Sequence, residues 1–358
     1  MRDCILVTGG AGFIGSALSK LICASDLPVV TVDSFLEQVH PSGERSEFMD
    51  DRVILLKRDV RDANTWADLL AEYRPVKIVH LAAETGTAQS LTEATRHASV
   101  NVVGTTEMLD AFARANVRPN RIVLASSRAI YGEGMWRDTS TGVDFYPKPR
   151  THEMLAKGQW VPSGPSGAAA IPLPHNASIV VPRPTSVYGA TKLAQEHVLA
   201  SWCGAFGVPL SILRLQNVYG EGQSPYNSYT GIINVFHRLA REGQAIPVYE
   251  DGLIGRDFVH IDDVVEVIAR VLADNSGVDH KFDVGTGTET TILEAAEVIA
   301  ELHGAAKPVI CGKFRDGDVR AAIADVGAMR AATGVSSKVS FVEGSKRVGD
   351  WLIRRGHI

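Results

Sequence analysis

The sequence predicts an α/β fold built on a doubly wound parallel sheet, and three observations predict it. From residue 2 onward, short β-branched runs alternate with stretches whose apolar residues recur at helical spacing. The runs read as strands buried on both faces, which is what the βαβ units of a parallel sheet contain. The first run breaks into a glycine-rich turn that opens a helix, "ILVTGGAGFIGSAL".

Taken in order, "DCILVT" is the first strand and "FIGSALSKLICAS" the helix that returns from it. "PVVTVD" and "RVILLK" are the next strands, followed by the helix "ANTWADLLAEY". "VKIVHLA", the helical stretch "SVNVVGTTEMLDAFARA" and "NRIVLASS" continue the alternation. Residues 133–185 interrupt it, with eight of the 16 prolines, several glycines and little periodicity. A structureless loop of that length is unfavourable, so an ordered, Pro-rich inserted flap is expected. A helix then starts near Tyr188, and "LSILRLQ" is another strand. From about residue 216 the pattern loosens into a loop, "EGQSPYNSY", and the helices "GIINVFHRLAREG" and "TILEAAEVIAELHG". The expected division is a nucleotide-binding domain over 1–215, to which 256–272 returns, and a smaller C-terminal lobe over 216–358. The lobe would close over the strand ends, where doubly wound sheets bind ligands.

Composition narrows the function. A 358-residue chain with 45% apolar and 22% charged residues can bury a sizeable core. A net charge of −5 with no basic run argues against nucleic acid as a partner. Cys4, Cys23, Cys203 and Cys311 are scattered, suiting neither a disulfide framework nor a zinc site, so a reducing cytoplasm and no metal are expected. The start "MRDCILVTGG" does not read as a secretion signal, and no apolar run approaches the roughly 20 residues of a membrane helix.

Gly10, Gly12 and Gly15 satisfy G-x-G-x-x-G, and Gly9, Gly12 and Gly15 the related G-x-x-G-x-x-G. Such glycines let the backbone turn tightly against a pyrophosphate seated on the helix N-terminus. The second strand ends in Asp33, 18 residues after Gly15. A carboxylate there suits the ribose hydroxyls of an adenosine and repels a 2′-phosphate, so NAD is favoured over NADP.

Tyr188 and Lys192 stand one helical turn apart in "YGATK". A phenol is a poor base near neutrality, and an adjacent ammonium would favour its ionised form. An amphipathic surface pair with the same spacing is the plain alternative.

At these residues the chain resembles the extended short-chain dehydrogenase/reductases, and among them the nucleotide-sugar epimerases and dehydratases. The matching stretches are "TGGAGFIG", Asp33, "RDV", "HLAA", "NVVGT", "SSRAIYG", "YGATK", "RLQNVYG", "RDFVHIDD" and "RDGDVR", which cover essentially the whole chain outside 133–185. The resemblance implies a Rossmann-type fold with Tyr188 as general base. Lys192 would bind the nicotinamide ribose and lower the tyrosine pKa, and Ser127 would hydrogen-bond the reacting sugar oxygen. It places Gly9, Gly12, Phe13, Ile14, Gly15, Asp33, Asp59, Val60, Leu81, Ala82, Ala83, Asn101 and Val218 against the cofactor. It places Asn217 on the diphosphate or the sugar, Arg256 and Arg315 on the diphosphate, Asp318 on the nucleotide ribose, and the stretch around Val248 along the base. Glu84 and Thr85 would reach the sugar, whereas His80 and His260 would be structural.

The family oxidises the sugar at C4 with NAD and then diverges just after the residue matching Ser127. Dehydratases carry Asp-Glu there to expel water, and decarboxylases keep the Glu; here the residues are Arg128 and Ala129. The family's 4-reductase/3,5-epimerases add a Cys and a His, but "SSRAIYG" has no Cys after its serines and Gly231 stands where the His would be. What remains is 4-epimerisation. The alternatives are a dehydratase-like or other-position epimerase using other acid–base groups, or a non-enzymatic NAD sensor.

"AAETGTAQS", "SSRAIYGEG" and the insertion resemble the subgroup of dTDP-L-rhamnose and UDP-glucose 4-epimerases. In that subgroup the insertion often carries cysteine pairs, and here 133–185 contains none. Trp136, Phe145, Tyr146 and Trp160 would instead pack it, and it would act as a lid over the sugar. A homodimer through the helices "VNVVGTTEMLDAFARA" and "KLAQEHVLASWCGAF" is implied by the same resemblance.

Overall fold

The structure, a computed structural model, describes residues 1–225 and 231–358. Seven parallel strands form its central sheet: β1 (Arg2–Thr8), β2 (Val29–Asp33), β3 (Ile54–Lys57), β4 (Tyr73–His80), β5 (Arg121–Ser127), β6 (Leu210–Leu215) and β7 (His280–Val284). Their spatial order is β7-β6-β5-β4-β1-β2-β3. All six pairings are parallel. The order reverses direction beside β1, the switch point at which such sheets open a ligand crevice past their carboxyl ends.

Most of the strands are largely apolar because helices cover both faces. On one face Leu18, Val264, Val267 and Ile268 close over the sheet. On the other, Trp66, Leu69, Met108, Phe112 and Leu199 do so. A third core, with Ile233, Phe236, Ile292, Ile299 and Leu352, fills the C-terminal part. Its helix Ile292–His303 begins with a reciprocal cap between Thr291 and Glu294, which satisfies two of the amides a helix start leaves open.

Two segments differ from the expected layout. His280–Val284, within the expected C-terminal lobe, is the edge strand β7 of the central sheet. The stretch 94–114 is two helices joined by one wider π turn at Ser99–Val103. Part of the expected loop 221–229 falls outside the described residues.

The insertion is ordered. Its strands Trp136–Asp138, Asp144–Phe145 and Ala170–Pro172 make a small antiparallel sheet. Asp138 ties two turns together, accepting from Ser140 and Thr141 on one oxygen and from Ser166 on the other. Trp136 is buried and donates its indole N–H to the Glu133 carbonyl. Tyr146 accepts from the Val181 amide, and Trp160 lies 6.2 Å from Phe314.

Candidate active site

A cavity of about 780 Å³ opens along the carboxyl ends of the strands, within the usual range for a ligand site. At one end lies the turn after β1. Gly9 takes φ +66, and a Cβ there would meet the Ala82 backbone nitrogen at 2.7 Å, so this turn excludes a side chain. Asp33, at the end of β2, accepts from the Ala11 amide at 3.0 Å and the Phe35 amide at 2.9 Å, and lines the same wall. An acidic β2 end beside a closely packed glycine turn and a helix N-terminus fits an adenosine diphosphate with a free 2′-hydroxyl.

Midway, Tyr188 and Lys192 project from the start of helix Val187–Phe206. Ser186 caps that helix by accepting from Gly189 N. Gly189 packs so closely that a Cβ would meet the Ala129 carbonyl oxygen at 2.5 Å, which presses Tyr188 toward the end of β5. There Ser127 starts the turn Arg128–Tyr131, its hydroxyl accepting from Ala129 N at 3.1 Å. Behind this wall runs a buried chain of charges. Glu196 grips Arg214 with both oxygens and accepts from Ser126, while Arg214 and Asp283 share the Tyr131 hydroxyl.

Burial pushes the Tyr188 phenol above its ordinary pKa, opposed by hydrogen bonding from Ser127 and by the charge of Arg128. The charge of Arg128 thus favours the phenolate. The Lys192 ammonium donates to Gln195 Oε1 at 2.5 Å, and burial pushes its pKa down to about 7, with Glu196 opposing. His80 is held on its ring nitrogens by Thr8, Thr105 and Gln195, and burial and Lys192 keep it neutral with a pKa of about 3.

Of the residues expected at the cofactor, Gly9, Gly12, Phe13, Ile14, Gly15, Asp33, Asp59, Val60, Leu81, Ala82, Ala83, Tyr188, Lys192 and Val218 all line this cavity. So do Glu84, Thr85, Ser127, Asn217, Arg256, Arg315 and Asp318. Two expected residues do not. Asn101 is fully buried behind the wall, exchanging hydrogen bonds with the Glu84 backbone and donating to Thr191 at 2.9 Å. Val248 points into the C-terminal core, and its neighbours Pro247 and Tyr249 face the cavity instead. The Glu84 carboxylate is held by Arg96 at 2.9 Å.

Sequence reading missed Arg128 and Gln216 as wall residues. Gln216 is buried, and neither polar atom of its amide has a protein partner among the described residues. Arg128 was visible only as a missing carboxylate. None of residues 133–185 is on the wall, so the insertion does not lid the cavity; it braces it from outside. Arg150 donates to the Asp318 carbonyl at 2.8 Å, and Glu133 accepts from the Arg320 amide at 3.0 Å.

Residues 6–148 match the family model for GDP-mannose 4,6 dehydratase, and residues 163–285 that of the NAD dependent epimerase/dehydratase family. A Burkholderia thailandensis protein named dTDP-L-rhamnose 4-epimerase is 49% identical over 97% of this chain and 94% of its own length. A UDP-glucose 4-epimerase of Mycolicibacterium smegmatis is 31% identical over 95% of each. Among solved structures, the Thermotoga maritima UDP-glucose 4-epimerase with UDP-glucose superimposes with a TM-score of 0.78 at 27% identity, covering 99% of this chain and 100% of that one. The Thermus thermophilus UDP-glucose 4-epimerase in complex with NAD gives 0.76 at 28% identity, with 99% of each chain covered. With a relative so similar across almost its full length, the chain belongs to the NAD dependent epimerase/dehydratase family.

Proposed function

We propose that the protein is an NAD-dependent nucleotide-sugar 4-epimerase, with dTDP-L-rhamnose or a UDP-hexose as substrate. One observation carries this: Ser127, Tyr188 and the glycine turn with Asp33 open on one cavity, and the place beside Ser127 where an acid–base pair would stand holds Arg128 and Ala129. The likeness to proteins named dTDP-L-rhamnose and UDP-glucose 4-epimerases supports the same reading.

The glycine turn and Asp33 hold the adenosine diphosphate half of NAD, and Lys192 its nicotinamide ribose. The chemistry NAD supplies when bound is the reversible two-electron oxidation of a carbinol. Tyr188 takes the C4 hydroxyl proton and Ser127 hydrogen-bonds the same oxygen. Among the described residues, the turn after Ser127 carries no carboxylate to expel water or to deprotonate C5, so the sugar turns within the cavity and Tyr188 returns the proton. The product differs only at C4.

The protein is expected to act in the cytoplasm: Cys4, Cys23 and Cys203 are buried free thiols, and among the described residues no helix is long and apolar enough to cross a membrane. A homodimer would cover the exposed Val103 and Phe206 on the helices beside β5. Light scattering of the purified protein tests that.

The function is tested by incubating purified protein, without reductant, with dTDP-L-rhamnose, UDP-glucose, UDP-N-acetylglucosamine and UDP-glucuronate and following C4 by NMR. A C4 epimer supports the reading. A 4-keto product identifies a dehydratase, and NAD binding with no product from any of the four points to a sensor.

A further inference from the structure

We propose that Arg128 binds substrate, forking its two terminal guanidinium nitrogens onto the sugar-proximal phosphate of the nucleotide sugar. This rests on the reading above that the ligand is a nucleoside-diphosphate sugar.

The first support is the donor inventory of Arg128. Its Nε donates to Asn217 Oδ1 at 3.0 Å, which fixes the plane of the group. Among the described residues the terminal nitrogens have no acceptor and no carboxylate pairs with the charge, although the side chain is partly buried in the cavity wall. A half-desolvated cation without an anion is unfavourable. Burial and the neighbouring Arg256 push its pKa down to about 10, against Asp318, Tyr188 and Glu133. An anionic ligand would relieve that.

The second support is that Arg256, expected on the diphosphate, has its terminal nitrogens engaged by protein. Nη1 donates to the Gly255 carbonyl at 2.8 Å, and Nη2 to Asp318 Oδ1 at 2.6 Å and the Val319 carbonyl at 2.9 Å. Arg315 lies over the Tyr249 ring, 5.4 Å from its centre, at the end of the cavity where the base would sit. That leaves Arg128, beside Ser127, as a wall guanidinium whose terminal donors are open among the described residues.

The third is its place. Arg128 opens the turn that Ser127 caps, and its Nε is bonded to Asn217, the residue expected on the diphosphate or the sugar; all three line the cavity. It therefore joins the group expected at the reacting carbon to the group expected at the diphosphate or the sugar, where the phosphate next to the sugar would sit. Two parallel N–H donors match two phosphate oxygens. A phosphate clamped there is a fixed pivot about which the sugar turns from one face to the other.

The test uses NAD-loaded protein titrated with UDP and UMP, and with dTDP and dTMP, by calorimetry. The monophosphate lacks the phosphate in question. In Arg128→Met the diphosphate should bind at least about tenfold more weakly, the scale of a charge-assisted bidentate contact, with monophosphate affinity unchanged within about twofold. Arg128→Lys, a point charge without the fork, should recover part of the preference; it also serves if the Met variant fails to retain NAD. Equal weakening of mono- and diphosphate, or a diphosphate preference kept in both variants, overturns the inference. So does a loss confined to UDP-glucose relative to UDP, which would put Arg128 on a sugar hydroxyl. Wild-type protein that binds no nucleoside diphosphate, or makes no C4 epimer, instead removes the functional reading beneath it.

Discussion

Arg150 and Glu250, 100 residues apart in the chain, meet as a buried ion pair, with Arg150 Nη1 at 2.9 and 2.8 Å from the two carboxylate oxygens and each side chain only 1% exposed. The same guanidinium reaches Glu133 at 3.0 Å and the Asp318 carbonyl at 2.8 Å, so one side chain ties the insertion to both substrate-side loops. Arg150→Met leaves Glu133 without its ionic partner and Glu250 with only Arg320. Breaking a buried pair from one side costs about 3–5 kcal/mol. Urea unfolding should show that loss, together with weaker nucleotide binding as the Asp318 loop loosens. Wild-type stability in the variant would mean the insertion is not a brace.

Tyr188→Phe removes only the hydroxyl. Turnover should fall at least about a hundredfold, the scale of a positioned acid–base group, while the purified variant keeps its NAD and its affinity for nucleotide. Residual turnover within tenfold of wild type would give the proton to another residue.

Most of β1 to β6 was legible as short apolar, β-branched runs, the pattern a doubly covered strand must have; residues 73–75 at the start of β4 were not, because "ANTWADLLAEY" carries the helical spacing through Tyr73. β7 was not. "HKFDV" carries a histidine, a lysine and an aspartate, and the buried Asp283 is supported by the Tyr131 hydroxyl, from the turn after β5, and by the charge of Arg214. The glycine turn with Asp33 and the Tyr188–Lys192 pair could be placed on the cavity wall because each is a local pattern, and Ser127 because of the family resemblance. Arg128 was open to reading only as an absence, since its free donors matter only once Arg256 is seen to be engaged by Asp318, 62 residues away. Val248 shows the opposite error. In a two-residue strand the inward and outward faces are set by packing against Ile292 and its neighbours, not by any pattern in the sequence.

Gly189 lets the Tyr188 helix sit against the turn after β5. A methyl group would meet the Ala129 carbonyl oxygen at 2.5 Å, and backbone cannot yield as a side chain tip would. Gly189→Ala should therefore cost about 1–3 kcal/mol, as overpacking does, and should lower kcat through a longer distance between Tyr188 and Ser127. A variant of unchanged kcat would show that this approach does not set the geometry of the base.

Lys192 makes stability depend on pH in a direction that can be worked out. Its folded-state pKa of about 7 lies below the ordinary lysine value near 10.4 because the ammonium is buried. Below about pH 7 both folded and unfolded chains hold the proton, and the folded state bears the full desolvation penalty. Between about pH 7 and 10 only the unfolded chain holds it, so this residue makes stability rise with pH. Lys192→Met removes the effect. In unfolding measured without nucleotide, the stability of the variant relative to wild type should be greatest near pH 6.5 and should shrink by the order of a few kcal/mol by pH 10. The loss of the Gln195 hydrogen bond shifts both ends of that comparison equally and leaves the slope untouched. A difference that stays constant across the range would mean that the Lys192 ammonium is solvated, and it would then carry its full charge beside Tyr188 at every working pH.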